Sequence, residues 1–133
     1  MKRLLFLLTV SGFIFFIDQT TKAYFRQADL AQLNTGGILG LGGQWQWGLL
    51  VTIILVIVSL QLRHWSQLSY LEKVSWAVIV VSGLSNLVDR ILFGGVWDWI
   101  VYPVVNVVGN IADIFLGVGG LLLVFSELRK KTK

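Results

Sequence analysis

Cysteine is absent, so the chain has neither disulfides nor thiol chemistry, and the single histidine, His64, excludes a His-rich metal site. No cofactor is expected. Charge is scarce: 14% of the 133 residues are Asp, Glu, Lys or Arg, against about 25% in an ordinary soluble domain. The net charge of +4 does not form one patch but falls at three places along the chain, which argues against a nucleic-acid partner. Proline occurs once, at Pro103, and no internal repeat or low-complexity tract is present. What fills the chain is apolar: 56% of it is hydrophobic, a membrane composition at a length that fits one domain, residues 1–133.

A spanning helix needs roughly 20 mainly apolar residues. Four segments approach this, at about 4–25, 48–62, 71–92 and 110–128. Their hydrophobicity is continuous, with little amphipathic period, as expected of spanning helices. Met1-Lys2-Arg3 and the leucine run after it imitate a secretory signal peptide. No A-x-A cleavage site follows and the apolar run continues to Ile17, so the segment reads as a retained transmembrane helix. Two irregular connections, at 27–47 and 93–109, separate the helices. The first is rich in Gly, Gln and Asn and reads as a loop or small strand pair. The expected fold is an all-α integral membrane protein of four transmembrane helices with a small extracytoplasmic loop or β cradle.

Lys2, Arg3, Arg63, Lys73, Arg129, Lys130, Lys131 and Lys133 fall on one side of this arrangement, and only Lys22, Arg26 and Arg90 on the other. The positive-inside rule then makes both termini cytoplasmic and turns the irregular loops outward. Trp45, Trp47, Trp97 and Trp99 gather near the outer interface, more as membrane anchors than as a substrate groove.

Four of the seven acids, Asp18, Asp89, Asp98 and Asp113, lie inside or against the apolar segments. A charge at the bilayer centre costs at least about 2.5–3.5 kcal/mol on insertion scales, so such acids are functional candidates. At 1.5 Å rise per residue, Asp18, Asn86 and Asp113 each lie about 21–22 Å from the inner end of their segments. They share one level in the outer third of the membrane, which Asp98 joins from the loop. Asn110 and Asp113 share a helix face, as do Asn86, Asp89 and Arg90, and Asp18 and Lys22 are four apart on another. Two carboxyls converging in a low-dielectric site share a proton. Such a pair activates a water and then protonates a leaving amine. Spacing alone leaves open which two acids pair.

Simpler roles compete. Asp18 with Lys22 reads first as a structural pair, and Asp89 as a structural acid beside an arginine that contacts substrate or another acid. Asn34 and the glycines after it fit a plain turn equally well. Glu72, Glu127, Asp29 and His64 read as solvated interfacial residues. A buried polar knot that glues helices is an alternative for Asp98 and Asp113 themselves.

Five stretches, in order, resemble the lipoprotein signal peptidase (signal peptidase II) family over nearly the whole length. Asp18-Gln19-Thr20-Thr21-Lys22 resembles its D-Q-x-x-K. Asn34-Thr35-Gly36-Gly37-Ile38-Leu39-Gly40 is similar to its N-x-G-x-x-F-G. Gly83-Leu84-Ser85-Asn86-Leu87-Val88-Asp89-Arg90 resembles the end of its G-G-x-x-x-N-x-x-D-R. Val96-Trp97-Asp98-Trp99-Ile100 resembles V-V-D-F-I, and Asn110-Ile111-Ala112-Asp113 matches N-x-A-D. The chain departs from the pattern at Val81 and Ser82, which replace Gly-Gly, at Leu39, which replaces an aromatic, and at Gly109, which replaces the Phe before Asn110. Trp97 and Trp99 are bulkier than the usual Val and Phe.

The resemblance implies an aspartic endopeptidase with Asp98 and Asp113 as the catalytic dyad. Asn86, Arg90, Asn110 and Asn34 would line the site or hold substrate; Asp18, Lys22 and Asp89 would support it. The implied substrate is a prolipoprotein whose cysteine carries diacylglycerol, cut just before that cysteine. The implied location is the bacterial cytoplasmic (inner) membrane, with the site toward the extracytoplasmic side. Membrane lipids are the other partners, no nucleic acid is involved, and a monomer is expected. The rivals are a non-catalytic binding or scaffold protein and a proton-linked transporter, although no inverted repeat favours the latter.

Overall fold

The computed structural model describes residues 1–36, 63–104 and 106–131. The described elements run α1 (Lys2–Gln27), β1 (Gln32–Asn34), a 3-10 turn (Trp65–Gln67), α2 (Tyr70–Phe93), β2 (Val96–Asp98), β3 (Ile100–Tyr102), β4 (Val107–Gly109) and α3 (Ile111–Lys131). All three long helices are long and apolar enough to cross a membrane, with mean hydropathies of 1.6, 1.5 and 1.9. Their ends fall within three residues of the segments expected at 4–25, 71–92 and 110–128. The helix expected at 48–62, with Leu39, Trp45 and Trp47, lies outside the described residues. The molecule is an all-α, multi-spanning membrane protein with two short β ribbons.

The helix directions follow from contacts at their ends. Tyr70, at the start of α2, meets the Phe6 ring at 6.4 Å and the Arg3 guanidinium at 5.3 Å, so α1 and α2 begin at the same end. α3 runs antiparallel to both. Its Lys130 pairs with Glu72 at that end, and its Asp113 meets Asn86 at the other. Arg3, Lys73 and Lys130 therefore gather at one end of the bundle, opposite Lys22, Arg26 and Arg90.

α2 starts at a capping box. Ser69 Oγ accepts the Glu72 N–H at 3.3 Å, and Glu72 Oε2 accepts the Ser69 N–H at 2.7 Å. This satisfies donors that a helix N-terminus leaves orphaned. It also corrects the expectation for Glu72, which is 2% exposed rather than solvated. The cap and Lys130 hold its carboxylate inside. Asp29, His64 and Glu127 are exposed, as expected.

Ile14, Val78 and Val81 form the buried core, with Val10, Phe15, Val74 and Phe115 packed against it. Val81 and Ser82, the residues in place of Gly-Gly, are both buried. On α3 a small residue, Gly119, faces α2. A Cβ there would lie 2.7 Å from Ile79 Cγ1 and 3.2 Å from the Ser75 carbonyl oxygen. Small residues that let backbones approach are the usual basis of helix association in lipid. Leu5, Phe13, Phe16, Leu121 and Phe125 point outward, the inverse of a soluble protein.

The described strands join the two irregular connections rather than pairing within the first. β1 pairs antiparallel with β2, setting Gln32 opposite Asp98 and Asn34 opposite Val96. β3 pairs antiparallel with β4, setting Ile100 opposite Gly109 and Tyr102 opposite Val107. The Trp99 N–H donates to the Gly109 carbonyl at 2.9 Å, so the residue after Asp98 is fastened to the residue before Asn110.

Candidate active site

Asn110 stands just before α3, and Asp113 is the third residue of that helix. The two cap each other. Asn110 Oδ1 accepts the Asp113 N–H at 3.0 Å, and Asp113 Oδ2 accepts the Asn110 N–H at 3.1 Å. The N-x-A-D stretch is therefore a helix start in its own right, in the reciprocal geometry of a capping box. The negative charge of Asp113 also sits favourably at the positive end of the helix dipole.

The remaining amide of Asn110 reaches the second acid. Its Nδ2 donates to Asp98 Oδ1 at 2.7 Å, while Asn34 Nδ2 donates to Asp98 Oδ2 at 3.0 Å. Asn34 meanwhile makes the turn that its glycines suggest, its Oδ1 accepting the Gly36 N–H at 3.1 Å. Asp98 is 3% exposed. Burial raises its carboxyl above the ordinary value, the Asn34 and Asn110 amides pull it back, and the charge of Asp113 raises it further.

Asp113 Oδ1 accepts from Asn86 Nδ2 at 2.9 Å, and Asn86 Oδ1 accepts from Lys22 Nζ at 2.7 Å. Lys22 Nζ also pairs with Asp18 Oδ2 at 2.7 Å and Asp89 Oδ2 at 3.0 Å, so three acceptors surround it. These three side chains are at most 2% exposed. The acids carry further bonds. Asp18 accepts the Ala112 N–H at 2.8 Å and the Ser85 hydroxyl at 2.7 Å. Asp89 accepts Gln19 Nε2 at 3.0 Å and the Trp97 N–H at 3.3 Å. Buried charges persist only when paired and hydrogen-bonded in this way.

Asp18, Lys22, Asn34, Asn86, Asp89, Asp98, Asn110 and Asp113 thus join one continuous network. Arg90 borders it, its Nη1 donating to the Asn86 carbonyl at 3.3 Å. Sequence reasoning gave no role to Gln19, whose amide reaches Ser85 and Asp89 together, nor to Ser85. Ser85 lies four residues before Asp89 and next to Asn86, so the helical period was its available signal. Trp97 and Trp99 pack within the protein, Trp99 stacked on Phe25 at 3.9 Å and 10° and Trp97 near the Phe93 ring. A small cleft of about 80 Å³, lined among others by Lys22, Arg26, Asp89, Phe93 and Trp97, excludes both Asp98 and Asp113 and so lies apart from the two acids.

The arrangement brings two carboxyls onto one asparagine inside a protein with no nucleophilic cysteine. Among the described residues no three His, Cys, Asp or Glu side chains group to hold a metal ion.

Comparison with known proteins agrees with these features. The sequence model described as Signal peptidase (SPase) II matches residues 10–129. A lipoprotein signal peptidase from Syntrophomonas wolfei is 36% identical over 99 residues, covering 71% of this chain and 64% of that protein. One from Burkholderia mallei is 33% identical over 108 residues, covering 71% of this chain and 60% of that protein. The chain thus spans somewhat under two thirds of the length of these curated relatives. Two solved structures, each described as a bacterial membrane enzyme, share the fold. One has a TM-score of 0.78 at 20% identity and covers 94% of this chain and 88% of that one. The other has a TM-score of 0.74 at 23% identity and covers 92% of each. By the extent of the family match, the chain belongs to the signal peptidase II family.

Proposed function

We propose that this chain is a membrane-embedded aspartic endopeptidase in which Asp98 and Asp113 activate one water. Its substrate is a diacylglyceryl-modified prolipoprotein, cut just before the lipid-bearing cysteine. The observation that carries the reading is Asn110, which donates to Asp98 Oδ1 at 2.7 Å through its side chain and to Asp113 Oδ2 at 3.1 Å through its backbone. One rigid residue at a helix start holds both carboxyls, and catalytic groups need such fixed geometry.

With one proton between the two carboxyls, the ionised one takes a proton from water as the water oxygen bonds to the scissile carbonyl carbon. The protonated one polarises the carbonyl oxygen. On collapse the C–N bond breaks and the amine leaves with a proton from the pair. Asn34 and Asn110 keep Asp98 oriented, and Asn86 and Asn110 keep Asp113 oriented. Arg90 lies at the same end, where it would hold substrate backbone. Lys22, Asp18 and Asp89 hold the helices that carry these residues.

The dyad lies at the end of the bundle opposite Arg3, Lys73 and Lys130. By the positive-inside rule that end faces outward from a bacterial cytoplasmic membrane, with both termini inside. A lipid-tethered peptide bond lies at the same boundary.

The test is cleavage of a diacylglyceryl prolipoprotein by purified protein in detergent or nanodiscs, with the product mass located by mass spectrometry. Asp98→Asn and Asp113→Asn should each lower kcat by about 10²–10⁴-fold, the range for loss of a general acid or base, while folding is retained. Full turnover in either variant would remove the dyad. If the wild type binds but never cleaves, and both variants only lose assembly, the acids glue helices instead.

A further inference from the structure

Tyr102 closes β3 opposite Val107 and is partly exposed. Its ring lies against Gly109. A Cβ on Gly109 would lie 2.8 Å from Asp113 Oδ2 and 3.0 Å from Tyr102 Cε2, with the Tyr102 hydroxyl 3.6 Å from the same point. The phenol and the Asp113 carboxylate therefore flank one small space, and any side chain at position 109 would drive them apart.

The hydroxyl has no hydrogen-bond partner among the described residues. Burial, then the charges of Asp113 and Asp98, raise its pKa above the ordinary phenol value. It therefore remains an O–H donor at any physiological pH. A neutral donor beside two acids that share one proton is chemically distinct from both. It can hydrogen-bond an oxygen that becomes negative without competing for the dyad's proton.

We propose that Tyr102 is a third catalytic residue, donating its O–H to the carbonyl oxygen of the scissile peptide beside the protonated carboxyl, while the ionised carboxyl takes the proton of the water. This rests on the peptidase reading above. As the water oxygen bonds to the carbonyl carbon, the C=O π pair moves onto oxygen. The Tyr102 hydrogen bond strengthens there without proton transfer. The pair returns when the C–N bond breaks, and the proton on the departing amine comes from the carboxyls.

The experiment compares wild type with Tyr102→Phe in the prolipoprotein cleavage assay, reading kcat, KM and thermal unfolding. Phenylalanine keeps the ring against Gly109, so the fold and KM should hold. The kcat should fall about 10²-fold, the lower range for loss of one oxyanion donor. Tyr102→Leu, which loses ring and hydroxyl together, should lose at least as much. Three results would overturn the proposal: a Phe variant with wild-type kcat, a change in KM alone, or a loss of rate fully matched by a loss of folded enzyme. If the wild type itself leaves substrate uncleaved, the peptidase reading falls and Tyr102's role with it. If the wild type cleaves and the Phe variant equals it, only Tyr102's role falls.

Discussion

Asn110 and Asp113 cap the same helix for each other, each accepting the other's backbone N–H. The acid assigned to catalysis is thereby part of the device that starts α3. Asn110→Ser separates the two duties. Serine is a good N-cap, so unfolding should change by less than about 1 kcal/mol. It cannot replace the amide that reaches Asp98, so kcat should fall at least tenfold. A variant with full activity would show that the bridge to Asp98 is dispensable.

Asn34 tunes Asp98. Its amide favours the ionised carboxyl, whereas burial and Asp113 favour the protonated one. With Asn34→Ala the lowering influence is lost, so an already raised pKa rises further. The limb of the kcat–pH profile that reports Asp98 should move to higher pH. Movement to lower pH would contradict the assignment.

Lys22 is the counter-charge for two buried acids. Lys22→Met leaves Asp18 and Asp89 unpaired, and breaking a buried pair costs about 3–5 kcal/mol. The folded yield in detergent should drop sharply. Adding Asp18→Asn and Asp89→Asn should recover part of that yield, because the stranded charges are gone. No recovery would mean that Lys22 acts other than by charge.

At the far end, Glu72→Ala should cost about 1 kcal/mol through loss of the capping box, whereas Glu72→Gln keeps the box. Lys130 is 52% exposed, so its pairing with Glu72 is screened by solvent and adds little. Thermal unfolding of the two variants checks this, and kcat per folded molecule should be unchanged in both.

Much of this arrangement is legible in the sequence. Rise per residue placed Asp18, Asn86 and Asp113 at one depth, and the structure links them through Lys22 and the start of α3. Helix ends followed from apolar length. Glu72 reads as solvated although Ser69-Tyr70-Leu71-Glu72 spells a capping box, because an acid at a segment end suggests solvent first. The Ala112 N–H that binds Asp18 could not be read, since a backbone donor has no letter of its own. Tyr102 depends on the β3–β4 register and on an absent side chain at Gly109, and neither is a local property.

The bond from the Ala112 N–H to Asp18 fastens the turn that carries Asp113 to a different helix. A mutational survey scored by activity alone would therefore rank Asp18 beside the dyad, although it lies outside the proposed chemistry. Counting folded molecules as well as turnovers would separate the two acids proposed to react from the two proposed to hold them in place.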